Sequence, residues 1–378
     1  MNIQLLFIAA VSLSAPIVWR VRKQWQGSVM MITTLLVLLS IAPWSVLLMV
    51  TVASLQWACW RYEQFRPSKT GFLISIALPL VPLIIYKLGY TTTHWVLPLG
   101  LSYYAFRQIH VAFECYKGEV KPSLTEYLQY LLFLPAILIG PIHRLPEFQR
   151  SLRRNKWEPM RMADGLERLL YGLVKINFLG NYVFTALAFE YSQHIDDPLL
   201  KLYVQMIAFT CNAYVQFAGY SDLAIGAGLL WGIRIIENFN YPFLATNMQD
   251  FWRRWHISLS SWCRDYVFQP IIAFSRNKWI ALSAAMLVLA LWHEISGRYI
   301  LWGIFHATLV LLTTRSREIA PGLSTFINQH PAGRWIGRLW VFHLFAIGNL
   351  LIGAINWADY PMYSFKSMQD VFLAFKTY

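Results

Sequence analysis

The feature that most constrains this chain is a series of apolar runs separated by short basic loops. They lie near residues 3–19, 28–42, 45–60, 71–89, 95–113, 127–142, 165–189, 199–218, 221–236, 279–293, 299–314 and 339–357. About 20 apolar residues suffice for a helix to cross the hydrocarbon of a bilayer, where only helices and closed barrels satisfy every backbone polar group. Composition agrees: 57% of the 378 residues are hydrophobic and 13% are charged. That is well below the roughly 25% charge of soluble domains, and one soluble core would not hide so much apolar surface. The sequence therefore predicts an all-α polytopic membrane protein with about eleven transmembrane helices.

The formal charge of +13 raises the question of a nucleic-acid partner. The cations instead cluster beside apolar runs, the pattern of a cytoplasmic membrane face, and no solvated basic face is left over. The lipid bilayer is the predicted partner, not nucleic acid. Arg144, Arg150, Arg153, Arg154, Lys156 and Arg161 place their loop inside, whereas His194, Asp196 and Asp197 mark an outside loop. The first run ends at Pro16 and the basic Arg20, Arg22 and Lys23 rather than at a small-residue cleavage site, which reads as a retained span with its N-terminus outside. Cys59, Cys115, Cys211 and Cys263 are scattered without metal-ligand spacing and read as packing residues, so no metal is expected.

Two stretches read as broken. Pro43 divides 28–60 into two short helices flanked by Arg22, Lys23, Arg61 and Arg66, as in a hairpin returning to the cytoplasmic face. Pro135, Gly140 and Pro141 interrupt 127–142, which reads as a re-entrant segment. Such backbone survives at membrane depth only where protein or a water-filled cavity satisfies it, so the helices should surround a central funnel. With no repeat or linker in view, 1–378 reads as one membrane domain.

Chemistry concentrates in residues 239–270, where Asp250, Arg253, Arg254, His256, Arg264 and Asp265 stand among Trp252, Trp255 and Trp262. As one helix this stretch would align Trp252, Trp255, His256 and Leu259 on a single face, an amphipathic element at the membrane surface. Downstream, His293 ends the run that begins near Trp279, about 21 Å along a helix from the loop. An intramembrane ionisable side chain marks a functional site or pairs with a carbonyl as a structural histidine. Glu294 follows, but no histidine stands four places later, so a His-Glu-x-x-His zinc site is absent. His306 reads as a packing or locally hydrogen-bonded residue.

Phe251-Trp252-Arg253-Arg254-Trp255-His256-Ile257-Ser258-Leu259-Ser260 with Arg264-Asp265-Tyr266, and Trp292-His293, resemble blocks of the membrane-bound O-acyltransferase (MBOAT) superfamily. So do Pro98-Leu99-Gly100-Leu101-Ser102-Tyr103-Tyr104, Gly140-Pro141-Ile142 and Gly219-Tyr220-Ser221-Asp222-Leu223-Ala224-Ile225-Gly226, in the same order, over about 95–315. The resemblance is to the bacterial branch, with its alginate O-acetylation proteins and the D-alanyl transfer protein of the teichoic-acid pathway. It implies His293 as the catalytic residue and His256 as a second functional one. Glu294 stands where the family usually has a small residue.

The resemblance further implies an acyltransferase of the bacterial cytoplasmic (inner) membrane. It would carry an acyl group, acetyl in the first reading, from a cytoplasmic thioester donor toward hydroxyls of a cell-envelope polysaccharide. A D-alanyl group from a carrier protein to a teichoic-acid-like polymer is the alternative. No permanently bound cofactor is expected; acetyl-CoA or a phosphopantetheine carrier serves as co-substrate, with an extracytoplasmic acetyltransferase-like protein or an acyl carrier protein as partner. Arg253, Arg254, Arg264 and Trp255 would receive the anionic donor, because arginine suits phosphate, while Trp292, Asp265 and Glu294 support the site. The short tail after His306 weighs slightly against the alginate type. A transporter or scramblase would share broken helices and basic loops, but the two halves show no paired broken-helix symmetry. A glycosyltransferase is disfavoured, since Asp-x-Asp is absent.

Overall fold

Proline and basic side chains set the ends of the first helices. A computed structural model describes residues 3–93, 98–137 and 140–352, and among them every regular element is helical. Helix α1 (Ile3–Arg20) stops at the basic cluster, α2 (Lys23–Ile41) follows, and Pro43 opens α3 (Pro43–Tyr62) in the first turn, where its missing N–H costs nothing. The two halves of the 28–60 run are thus longer than the short helices expected. At 19 and 20 residues, each is about 30 Å long and able to cross hydrocarbon. Pro43 interrupts the chain for only one residue, Ala42, so both helices extend into their basic flanks.

Among the described residues, Lys23–Ile41, Pro43–Tyr62, Lys69–Tyr90 and Pro159–Gln193 are long and apolar enough to cross a membrane, and Gln4–Arg20 and Lys278–His293 are shorter apolar helices. Leu13, Leu36, Trp44 and Leu73 on these helices are exposed, an arrangement that water disfavours and lipid tolerates. The chain is an all-α polytopic membrane protein.

Two compact units divide the chain: the described parts of Met1–Leu173 with Gly219–Ile236, and of Val174–Ala218 with Glu237–Met368. In the first, α4 (Lys69–Thr93) and α5 (Leu101–Tyr116) lead to the broken segment. There α6 (Leu124–Leu131) gives way to a tight turn at Leu134–Ala136, and residues 140–144 carry no regular element before α7 (Leu145–Arg153). Ser123 and Glu126 form a reciprocal cap that starts α6. Beyond its end, side chains supply what the helix no longer does. Leu134 N–H donates to Thr34 Oγ1 at 3.1 Å, Arg107 Nη1 donates to Leu131 O at 3.1 Å, Tyr130 OH donates to His143 O at 2.7 Å, and Leu145 N–H donates to His110 Nε2 at 3.0 Å. Arg107 is fully buried with its guanidinium 4.4 Å from the Tyr130 ring centre. The described backbone of this broken segment is thus buried in protein.

Helix α8 (Pro159–Leu173) continues through widened turns to α9 (Ala188–Gln193), and α10 (Pro198–Leu230) then runs unbroken for 33 residues. The runs at 199–218 and 221–236 are therefore one helix rather than two spans. Nothing between Ala218 and Ser221 stops a helix, and the chain turns only at Gly232, where φ is +79°. Within the first unit, Gly165 and Gly172 of α8 face Gly226 and Gly219 of α10. A Cβ on Gly226 would lie 2.7 Å from Gly165 O, and one on Gly172 would lie 2.7 Å from Gly219 O. Between these contacts Arg168 binds the buried Asp222 at 2.9 Å. Small residues let the backbones meet, as between membrane helices generally, and the ion pair fills the middle of the seam.

Gly226→Ala should therefore destabilise the detergent-solubilised protein by about 1–3 kcal/mol through overpacking, read as a lower thermal midpoint. Gly322→Ala, whose Cβ would meet nothing within 4 Å, should leave the midpoint in place.

Candidate functional site

In the second unit the stretch expected to form one helix is divided in two. Helix α11 (Met248–Arg254) starts at Asn247, whose side chain accepts the Asp250 N–H. It ends at Trp255, and His256 adopts φ +44°, ψ +54° before α12 (Ile257–Cys263). A left-handed residue ends a helix by direction, not by charge. The new start is held from elsewhere in the chain: Asn238 O accepts the Ile257 N–H at 2.9 Å, Asn238 Oδ1 accepts the Ser258 N–H at 3.3 Å, and Asn240 N–H donates to Arg254 O at 3.0 Å. Nor is the element a surface one. Trp252, Trp255, His256 and Leu259 are all buried, at 6%, 9%, 3% and 0% exposure: Trp255 packs in a core with Phe239, Phe243 and Phe345, and Trp252 against Trp302 and His306.

His256 meets the edge of Phe217 at 4.6 Å and Trp292 at 5.5 Å between ring centres. Its Nε2 is buried with no hydrogen-bond partner among the described residues. It belongs to no apolar span, and burial first, then His293, holds its pKa well below the ordinary histidine range, so the ring is neutral. Trp292 also touches His293, at 4.5 Å, and so stands between the two histidines.

After α13 (Gln269–Ser275), α14 (Lys278–His293) begins on Asn277, whose side chain caps two N–H groups, and closes at His293 itself. The His293 ring is exposed, less shielded than its expected depth implied, and stacks on Tyr299 at 5.4 Å and 13°. Glu294, expected to support the site, accepts two hydrogen bonds from Arg298, one of them at 3.1 Å. Helix α15 (Gly297–Ile319) carries Tyr299, Trp302 and His306. Trp302 lies 5.8 Å from His293 and 4.4 Å from His306. His306 is fully buried against Trp252 and Trp302, with neither ring nitrogen hydrogen-bonded among the described residues.

Beside this row lies a cavity of about 650 Å³, in the size range of small-ligand sites. Arg253, Arg264 and Lys278 line it together with Ser260, Ser261 and Thr314, and Leu282, Ala285, Met286, Leu289, Val310 and Leu311 form its apolar wall. Of the four expected donor-binding residues it gathers Arg253 and Arg264. Arg254 is held instead by Asp250 at 2.9 Å and by Asn240 O, and Trp255 packs in the aromatic core. Asp265 pairs with Arg264 at 2.8 Å. Sequence reasoning missed Asn238 and Lys278. The first lies in an Asn-Phe-Asn-Tyr-Pro loop whose partners are about twenty residues away; the second read as the flank of an apolar run. Among the described residues no group of three or more His, Cys, Asp or Glu could hold a metal ion.

The model of the MBOAT, membrane-bound O-acyltransferase family, matches residues 21–354. The chain is 28% identical to a probable alginate O-acetylase of Pseudomonas fluorescens over 77% of its own length and 59% of that protein's. It is 31% identical to the Pseudomonas aeruginosa counterpart over 74% and 54%. A teichoic acid D-alanyltransferase of Bacillus subtilis is 28% identical over 66% and 69%. The chain thus spans a little over half the length of the alginate O-acetylases it resembles.

The backbone and the ring of His256 are separable. His256→Gly should be more stable than His256→Ala by about 1 kcal/mol, since alanine is strained at positive φ. Asn238→Ala should cost about 1–3 kcal/mol through its unpaired amides. Thermal unfolding in detergent checks both.

Proposed function

Because the chain belongs to the membrane-bound O-acyltransferase family, we propose that it moves an acetyl group from a cytoplasmic thioester toward hydroxyls of a cell-envelope polysaccharide, with His293 as general base. The observation that carries this reading is Trp292 in contact with both histidines, which fixes the exposed imidazole of His293 beside the buried, neutral one of His256. An acceptor hydroxyl gives its proton to His293 as its oxygen attacks the thioester carbonyl. The new C–O bond forms, the C–S bond breaks, and His293 returns the proton to the departing thiolate. Stacking on Tyr299 and contact with Trp292 orient the ring for both transfers. His256 supports the site as a neutral polar group.

The donor enters on the cytoplasmic side of a bacterial inner membrane, its phosphates met by Arg253 and Arg264. Similarity to a D-alanyltransferase supports a second reading, in which a carrier protein brings a D-alanyl thioester. An acetyltransferase-like protein outside the membrane, or an acyl carrier protein within the cell, is the corresponding partner.

Membranes containing the wild-type chain should incorporate radiolabel from acetyl-CoA into envelope polymer. His293→Ala should lower that rate by about 10²–10⁴-fold, the usual worth of a general base. Full transfer by His293→Ala would overturn the assignment. Label incorporated only from a D-alanyl carrier would favour the second reading.

A further inference from the structure

We infer that one corner of the first unit is a binding site for an anionic phospholipid: three cationic turns hold the phosphodiester headgroup, and the exposed apolar faces of α1 and α8 carry the acyl chains.

The three turns belong to one compact unit and are locked together by side chains. Between α1 and α2, the Trp19 indole N–H donates to Leu230 O at the end of α10, at 2.9 Å. Between α7 and α8, buried Asn155 reaches both neighbours, donating to Gln26 Oε1 at 3.2 Å and to Trp231 O at 3.0 Å. Trp157 meets the ring of Trp19 edge-on at 5.3 Å. Beyond Gly232, Arg234 N–H donates to Ser151 Oγ at 3.1 Å and so ties the third turn to α7.

These contacts gather charge of one sign. Arg20, Arg22 and Lys23 on the first turn, Arg153, Arg154 and Lys156 on the second, and Arg234 on the third are all exposed. None of their side chains has a hydrogen-bond or ion-pair partner among the described residues. Glu158, which follows the second group, is held by Arg161 at 2.9 Å. Cations set together without acids repel one another, and a bound anion relieves that repulsion. Arginine meets the two free oxygens of a phosphodiester bidentately.

Apolar surface leads away from the same corner. Arg20, Ile17 and Leu13 share one face of α1 at spacings of three and four, and Ile17 and Leu13 are exposed. Arg20 to Leu13 is about 10 Å along the helix, within the roughly 15 Å of one leaflet of hydrocarbon. On α8, Leu166 and Leu170, one turn apart, are exposed as well, and exposed Trp157 stands before that helix as interfacial tryptophans do. A ligand that uses both parts has a net negative headgroup and long chains. Phosphatidylglycerol has that form. Phosphatidylethanolamine has the same phosphate but adds an ammonium that these cations repel, and inorganic phosphate lacks the chains.

Native mass spectrometry of the purified full-length protein in detergent, titrated with equal amounts of phosphatidylglycerol and phosphatidylethanolamine, reads the preference. Wild type should retain phosphatidylglycerol by about tenfold or more, since one basic residue beside an anionic lipid is worth about fivefold. Arg22→Gln/Lys23→Gln/Arg154→Gln should bring the ratio close to one and leave the lipid-free thermal midpoint unchanged, because these side chains have no partner in the fold to lose. Arg61→Gln/Arg66→Gln/Lys69→Gln removes the same charge around the turn between α3 and α4 and should keep the wild-type ratio. An equal loss in both variants would mean a diffuse field of charge and overturn the site, as would a wild type without preference. Displacement of the lipid by inorganic phosphate would overturn the lipid in favour of a free anion. An acidic carrier protein that binds wild type but not the first variant, with the lipid ratio the same in both, would overturn it in favour of a protein-docking surface.

Discussion

The site depends on a single reversal of backbone direction, the left-handed residue His256. One continuous helix through 248–263 would have turned the stripe Trp252, Trp255, His256 and Leu259 along a single straight face. The break, stabilised by Asn238 at a distance of about twenty residues, tips α12 away from α11. Arg253 and Ser260 can then line one cavity while His256 turns to Trp292. The backbone amides that a broken helix exposes would each cost free energy in a buried setting, and the carbonyl and side chain of Asn238 remove that cost.

The first unit solves the same problem in another way. Where α6 ends, the orphaned groups of the segment after Leu131 find Thr34, Arg107 and His110. Each of these buried hydroxyl, guanidinium and imidazole groups serves a backbone partner, while Arg107 Nε and Nη2 have none among the described residues. The glycine seam between α8 and α10 is the complementary device. It brings backbone against backbone and leaves room for one buried ion pair, Arg168 with Asp222.

Much of this was legible in the residues. Pro135, Gly140 and Pro141 announced a broken segment, because proline and glycine act locally on the backbone. The run ending at Trp292-His293 ended as a helix there, since its apolar character stops abruptly at Glu294. What escaped notice depended on partners far apart in sequence. Histidine tolerates positive φ better than most residues, yet nothing near His256 signals it, and the cap arrives from Asn238. Periodicity therefore favoured one helix, and burial of Trp252 and Trp255 read as interfacial anchoring. Lys278 read as the flank of an apolar run because only the fold sets it at one cavity with residues of α11 and α12. Conversely, α10 was split although no breaker separates its halves, an error of segment counting and not of chemistry.

The length of α10 has its own consequence. Thirty-three residues make a rod of about 50 Å, against a hydrocarbon slab of about 30 Å. Crossing the slab, even at the steepest tilts common for membrane helices, would raise one end into the headgroups or the water beyond. Leu199 and Leu200, exposed at its start, would then meet a different solvent in a thin membrane than in a thick one. The depth of such a helix would be a property of the lipid as much as of the chain.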